Sequence, residues 1–305
     1  MLESPRSTEP VESMDGRLGG LHDLAYIGSI VSGMAVGYSL FQRCTPTFLQ
    51  LAGFSPELWS NNSTISISKA VQSRYEIIKF VVHDTIIAVV LGMPPQLHYN
   101  TTLERDEEQP KRALELVYGI SPEILCALGK VNAWRASRLM EESQSRGDRG
   151  DIEHTLGGWS PFVEHTDEPV KDIGRLAVQE AWRQAVLIYF YMGMREVNSA
   201  CIQVQTAVRQ IVQLGDVVEP GSPLERHLLI PCLIAGVAAR QEKHRASLRS
   251  KVSSKSFPHE ITLVIRTSEF VVVLDHLWHG VGKGGSPVTW DDYVRSRCAT
   301  IPITH

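Results

Sequence analysis

The chain lacks the features that most directly announce a function. Its five cysteines, at 44, 126, 201, 232 and 298, are an odd and scattered set with no close pair. That pattern excludes a disulfide framework and a compact cysteine–zinc cluster, and implies reduced, mostly buried thiols. There is no basic excess: 30 Lys and Arg against 34 Asp and Glu give a net charge of −4, whereas a nucleic-acid module normally carries surplus positive charge. No GxSxG nucleophile elbow and no GxxxxGK[ST] phosphate loop occurs. No alternating run is long enough to build a sheet, and no repeat of 34 or 40 residues marks a solenoid. The sequons at Asn61, Asn62 and Asn100 read as chance matches, since no secretory signal precedes them.

What is present is an ordinary globular composition, 43% apolar and 21% charged, over a length suited to two domains or one large one. Residues 1–20, rich in Ser, Pro, Glu and Gly, read as a disordered tail. Leu24 to Phe41 then runs eighteen residues without a charge and holds a Gly33/Gly37 pair at GxxxG spacing. Its glycines, its serines and the acidic flank before it favour a buried helix over a membrane span.

Helix-start signals punctuate the rest. Ser55-Pro56-Glu57, Ser121-Pro122-Glu123 and Ser222-Pro223-Leu224-Glu225 each place a capping hydroxyl before a proline. Ser222 and Glu225 also fit a capping box, and Thr289-Trp290-Asp291-Asp292 is a weaker start. Helical apolar spacing predicts helices over 21–43, 68–91, 111–118 and 122–143. A further face comprises Ala177, Ala181, Trp182, Ala185, Ile188, Tyr189 and Met192, on a helix ending inside the core. Val204 to Leu214 follows, capped by Gly215; Leu224–Ala239 is kinked at Pro231; and Ile261–Trp278 is read as one helix despite its valines. The segment 144–170 reads as a long loop and a candidate sub-domain boundary. The expectation is an all-α, irregular assembly of roughly ten helices over 21–300, without a regular sheet.

Several patterns tempt an enzymatic reading. His22-Asp23 and His83-Asp84 are dipeptides used by metal-dependent phosphohydrolases, and Asp291-Asp292 resembles the paired acids of all-α diphosphate enzymes. Neither comes with the further ligands such a site needs; a core histidine and a helix-start charge explain them as well. Gly280–Ser286 reads as a turn, the two Arg-Gly-Asp triplets at 146–151 as solvated loop, and Trp134, Trp182, Trp278 and Trp290 as core. Arg240–Lys255 carries net +5. Its cations Arg240, Lys243, Arg245, Arg249, Lys251 and Lys255 form a candidate interaction patch for an acidic partner, with a solvated helix end as the plain alternative.

Four segments together resemble a known family. Val117-Tyr118-Gly119-Ile120-Ser121-Pro122-Glu123-Ile124-Leu125, Glu180-Ala181-Trp182-Arg183 with Ala185–Tyr191, Pro231–Gly236, and Leu274-Asp275-His276-Leu277-Trp278 with Trp290-Asp291 are similar, in order and spacing, to fungal-specific transcription factor domains. The resemblance covers about 110–300. It implies an all-α regulatory region of a Zn₂Cys₆-type transcription factor, in the nucleus, with no catalytic residues. Its implied partners are co-regulators or another regulator subunit, together with a small-molecule effector; no membrane is involved. Zinc would belong to an amino-terminal six-cysteine cluster that 1–305 does not contain, so direct sequence-specific DNA contact by this chain is not expected. The competing expectation is an all-α metal-dependent enzyme acting on a phosphate or diphosphate.

Overall fold

The computed structural model describes residues 11–61, 63–103, 113–139, 151–162, 168–253, 261–262 and 264–303. Helix α1 (Val11–Ser32) begins inside the stretch expected to be a tail; residues 1–10 lie outside the described set. Four interior glycines, Gly16, Gly19, Gly20 and Gly28, cost this helix about 1 kcal/mol each in propensity, so packing of its Met14–Leu18–His22–Ala25–Ser29 face must hold it. The single helix expected over 21–43 is broken at Gly33, whose φ of 90° only glycine adopts without strain. The chain folds back there into α2 (Met34–Gln42), and Gly37 lets Ser29 of α1 approach its backbone. The small residues of the uncharged stretch thus serve an internal helix–helix contact. Among the described residues no helix is long and apolar enough to cross a membrane.

Helix α3 (Cys44–Ala52) lies beyond the helices that apolar spacing predicts. Ser55-Pro56 starts only a 3₁₀ turn at Pro56–Leu58, followed by β1 (Trp59–Ser60) and β2 (Thr64–Ser66). The helix expected over 68–91 is two: α4 (Ile67–Ala70), capped by Ser66, and α5 (Tyr75–Leu91), which ends at a left-handed Gly92. Almost every side chain of α5 from Ile77 onward is buried. The short strand β3 (Tyr99–Asn100) pairs parallel with β2, which is antiparallel to β1. Asn100 spends its side chain on Ser60 and on the Thr102 amide.

Helix α6 (Ala113–Tyr118) leads into α7 (Pro122–Leu139), where Ser121 Oγ accepts from the Ile124 amide as the sequence predicts. The segment read as a long loop holds a further helix, α8 (Asp151–Gly157), and the Arg-Gly-Asp triplets fall largely outside the described residues. Helix α9 (Pro169–Tyr189) ends in a buried π-helical turn, Phe190–Met194. Gly215 is no cap: α10 (Ile202–Val217) runs past it.

A 3₁₀ turn, Glu225–Leu228, precedes the wholly buried α11 (Leu229–Ala238). Pro231 lies in the first turn of α11, where its missing amide has no helical partner to lose, so no kink is needed. Ser222 forms no capping box: its Oγ is buried without a partner, and Glu225 accepts instead from the Gly221 amide. Helix α12 (Glu242–Val252) follows. Ile261–Trp278 is not one helix. A two-stranded hairpin, β4 (Ile261–Thr262) and β5 (Ile265–Arg266), turns at Val264 with φ 64° before α13 (Thr267–His279) begins. The carboxylate of Glu269 on α13 accepts from the Met34 amide and so caps α2 from across the fold. Helix α14 (Trp290–Thr300) has the full reciprocal capping box between Thr289 and Asp292, the start that looked weakest in the sequence.

Helix α9 packs on α10 and α11, α7 on α5 and α9, and α13 on α14. One hydrophobic cluster runs from Met14 to Ile301. Trp182, Trp290, Tyr189, Tyr293 and the Phe41/Phe48/Phe80 stack are fully buried within it, each contributing about 1.5–3 kcal/mol or more. The helices are shorter and more numerous than the ten expected, but the class is all-α.

Candidate functional site

The basic run proves largely committed to the fold. Arg245 is buried: its Nε donates to the Ala239 carbonyl at 3.0 Å, its Nη2 to the Gly282 carbonyl at 2.7 Å, and its guanidinium lies 5.6 Å from the Trp278 ring. Burial depresses its pKa, opposed by the nearby Glu242. Arg240 Nε donates to the Gly285 carbonyl at 2.8 Å. These two arginines therefore hold the Gly280–Ser286 turn, which is a turn as expected. Arg249 forks onto Asp275 with Nη2 at 2.8 Å, and Lys251 faces Glu225 at 3.9 Å. Lys243 is exposed, and Lys255 lies outside the described residues. As a surface for an acidic partner, the run offers much less free charge than its composition suggests.

The two His-Asp dipeptides are brought together only by half. The rings of His22 and His83 meet edge-on at 5.5 Å, walled by Phe41 and Phe80. His22 Nδ1 bonds Glu76 at 3.1 Å, while His22 Nε2 and His83 Nδ1 are buried with no hydrogen-bond partner. Desolvation lowers both histidines; the Glu76 bond opposes it at His22, and Lys79 adds to it at both. Both rings are buried core groups in which burial disfavours the charged form. The aspartates go elsewhere. Asp23 is exposed and faces Lys79, whereas Asp84 accepts from the Gln96 and Leu97 amides and from Tyr99 Oη at 2.8 Å. Burial pushes Asp84 up to about 6 against those bonds. Asp291 pairs with Arg135 at 2.8 Å, and Asp292 is consumed by the cap and by Arg295. Among the described residues no group of three or more His, Cys, Asp or Glu is placed to hold a metal.

The thiols sit on separate elements and are all free; Cys44, Cys126 and Cys232 are buried, and burial raises each to about 12. They do not form the donor set of a binuclear zinc cluster, whose thiolates must converge. Trp182, Trp278 and Trp290 are core as expected, and Trp134 is half-buried against it.

Among the described residues, clefts lie between the helices at three places of note. One between α6 and α9, floored by Val178 and Gln179, has about 30 Å³ of free space, room for a water or two. A polar cleft of about 380 Å³ between α7 and α8 is lined by Thr101, Thr102, Glu123, Lys130 and Thr155. A third, of about 240 Å³, lies among α7, the π-helical turn and α14. Its residues Arg135, Arg138 and Glu196 carried no signal in the sequence beyond an Arg pair one turn apart, and their partners are remote in the chain.

Among the described residues the architecture is all-α, with clefts between its helices. The family described as fungal-specific transcription factor domain matches residues 24–302. The chain belongs to that family, a regulatory domain of transcription factors, and the likeness extends well before the 110–300 region in which the sequence motifs lie. No curated protein and no solved structure matches the chain.

Proposed function

We propose that this chain is the regulatory region of a Zn₂Cys₆-type transcription factor, acting in the nucleus through contacts with co-regulators or another regulator subunit, without catalysis and without reading DNA itself. The observation that carries this reading is the family match over 24–302, nearly the whole of one continuous helical core. Three further observations support it. The net charge of −4 offers no counter-field to phosphate. The five thiols are separate, three of them sealed in the core. The basic run is held mostly in intramolecular bonds. Regulation then means shifting a helical equilibrium through differential contacts, by a partner protein or by an effector seated between helices.

The test is selection of DNA by the purified 1–305 chain from a random-sequence duplex library. No enriched sequence is expected at physiological salt. Recovery of a site bound far more tightly than bulk DNA would overturn the claim that sequence is read elsewhere.

A further inference from the structure

The cleft among α7, the π-helical turn and α14 gathers groups that nothing above employs. Arg135 and Arg138 stand one turn apart on α7. Arg135 Nη2 donates to Asp291 Oδ1 at 2.8 Å, and its Nη1 to the Gly193 carbonyl at 3.3 Å. Arg138 pairs with Glu196. Met192 and Trp290 supply the apolar wall.

Four features set this cluster apart from a pair of ordinary surface bridges. Arg138, Glu196 and Asp291 are each about half exposed, at 50%, 48% and 48%. Arg138–Glu196, exposed at both ends, contributes only about 0–1 kcal/mol, so fold stability does not account for that pair, while Arg135, 13% exposed, is the buried member of the set. Glu196 nonetheless holds a left-handed φ of 58°, a conformation costing a non-glycine residue about 1 kcal/mol or more. The backbone leading to it is a π-helical turn, a rare geometry concentrated at functional sites. The indole N–H of Trp290, a residue 1% exposed, has no hydrogen-bond partner, a buried donor the fold leaves unused.

We propose that this cleft binds a small zwitterion, a free α-amino acid with an apolar side chain. The ligand carboxylate meets the guanidiniums of Arg138 and Arg135. The ammonium meets the carboxylates of Glu196 and Asp291, and the side chain lies on Met192 and Trp290. Charge balance selects this ligand class. Two cations and two anions line the cleft, so a simple anion such as phosphate would face Glu196 and Asp291, and a simple cation would face the arginines. A zwitterion exchanges each internal ion pair for an equivalent one. A volume of about 240 Å³ is smaller than the roughly 300–1,000 Å³ of sites for drug-sized ligands. The assignment deepens the effector control proposed above and rests on that reading only for its consequence in transcription.

The test titrates the purified full chain with leucine, isoleucine, valine, methionine and phenylalanine in turn, by calorimetry and thermal shift. The N-acetyl and amide derivatives of each run alongside, as do the variants Arg138→Gln and Glu196→Gln, half-exposed positions whose intact fold is checked by circular dichroism. At least one amino acid is expected to bind at one site per chain and raise Tm. Its N-acetyl form, lacking the ammonium, and its amide, lacking the carboxylate, are expected to bind about tenfold or more weakly, as is the parent to either variant. The proposal is overturned if none binds up to about 10 mM, if the derivatives match the parents, or if both variants bind like the wild type. Because binding is read on the purified chain, its failure leaves the transcriptional reading standing, and the converse holds.

Discussion

The α1–α2 contact makes a prediction in which two identical substitutions have opposite signs. A Cβ added at Gly37 would lie 1.7 Å from Ser29 Oγ, 2.8 Å from Ser29 Cβ and 3.0 Å from Ser29 Cα. Ser29 is fully buried, and its hydroxyl donates to the Val264 carbonyl at 2.8 Å, so it cannot rotate away without stranding that carbonyl. Helix propensity favours alanine over glycine by about 1 kcal/mol. Overpacking costs about 1–3 kcal/mol, and a stranded buried acceptor about 1–3 more. The net expectation for Gly37→Ala is destabilisation by about 1–5 kcal/mol. Gly20, exposed on α1 with nothing within 4 Å of a built Cβ, meets only the propensity term. Gly20→Ala should therefore stabilise by about 0.5–1 kcal/mol. Urea unfolding followed by circular dichroism reads both as shifts of the midpoint. A neutral or stabilising Gly37→Ala would refute the packing of α2 against α1 at this point.

The basic run and the buried histidines give two more. Arg245→Ala should cost about 2 kcal/mol or more by stranding the Ala239 and Gly282 carbonyls, while Lys243→Ala stays within about 0.5 kcal/mol; equal effects in urea unfolding would deny Arg245 its structural role. His83 is held neutral when folded, its pKa lowered by burial, with His22 and Lys79 adding to it. Its contribution is complete above the unfolded pKa of about 6.5 and drains as pH falls below that, by up to about 1.4 kcal/mol per pH unit. The sign is opposite for Asp84, whose raised value of about 6 makes the folded state bind the extra proton at lower pH. His83 is therefore isolated by difference: from about pH 7.5 to about pH 5.5 the wild type should lose roughly 1 kcal/mol more than His83→Leu does, and parallel pH profiles would show that the ring is not held neutral.

Much of the fold was legible because apolar periodicity reports burial directly. The faces of α9 and α10 and the proline-led start of α7 lie close to where spacing placed them. Failures cluster where one backbone angle decides. Gly33 looked like part of a continuous apolar helix because hydrophobicity does not reveal a φ of 90°. The valine run Ile261–Trp278 has helical length, yet Val264 at φ 64° turns its first residues into a hairpin. Caps failed in both directions, since Ser222 and Thr289 carry similar local signals and only tertiary placement shows which side chain reaches an amide. Composition also misled at α12, where net charge said nothing of the turn carbonyls and acids waiting opposite. The cleft was the least legible part. Asp291 drew attention as half of an acidic pair, but its partner Arg135 stands 156 residues earlier, and a π-helical turn has no sequence signature.

Regulation of transcription through surface contacts is tested most directly by fusing residues 1–305 to an unrelated DNA-binding domain and measuring transcript from a reporter carrying that domain's site, in a fungal nucleus. The fusion should change reporter output severalfold relative to the DNA-binding domain alone, and the change should fade with Gly37→Ala as the helical core loosens. Output indistinguishable from the DNA-binding domain alone, with the fusion folded and nuclear, would contradict it.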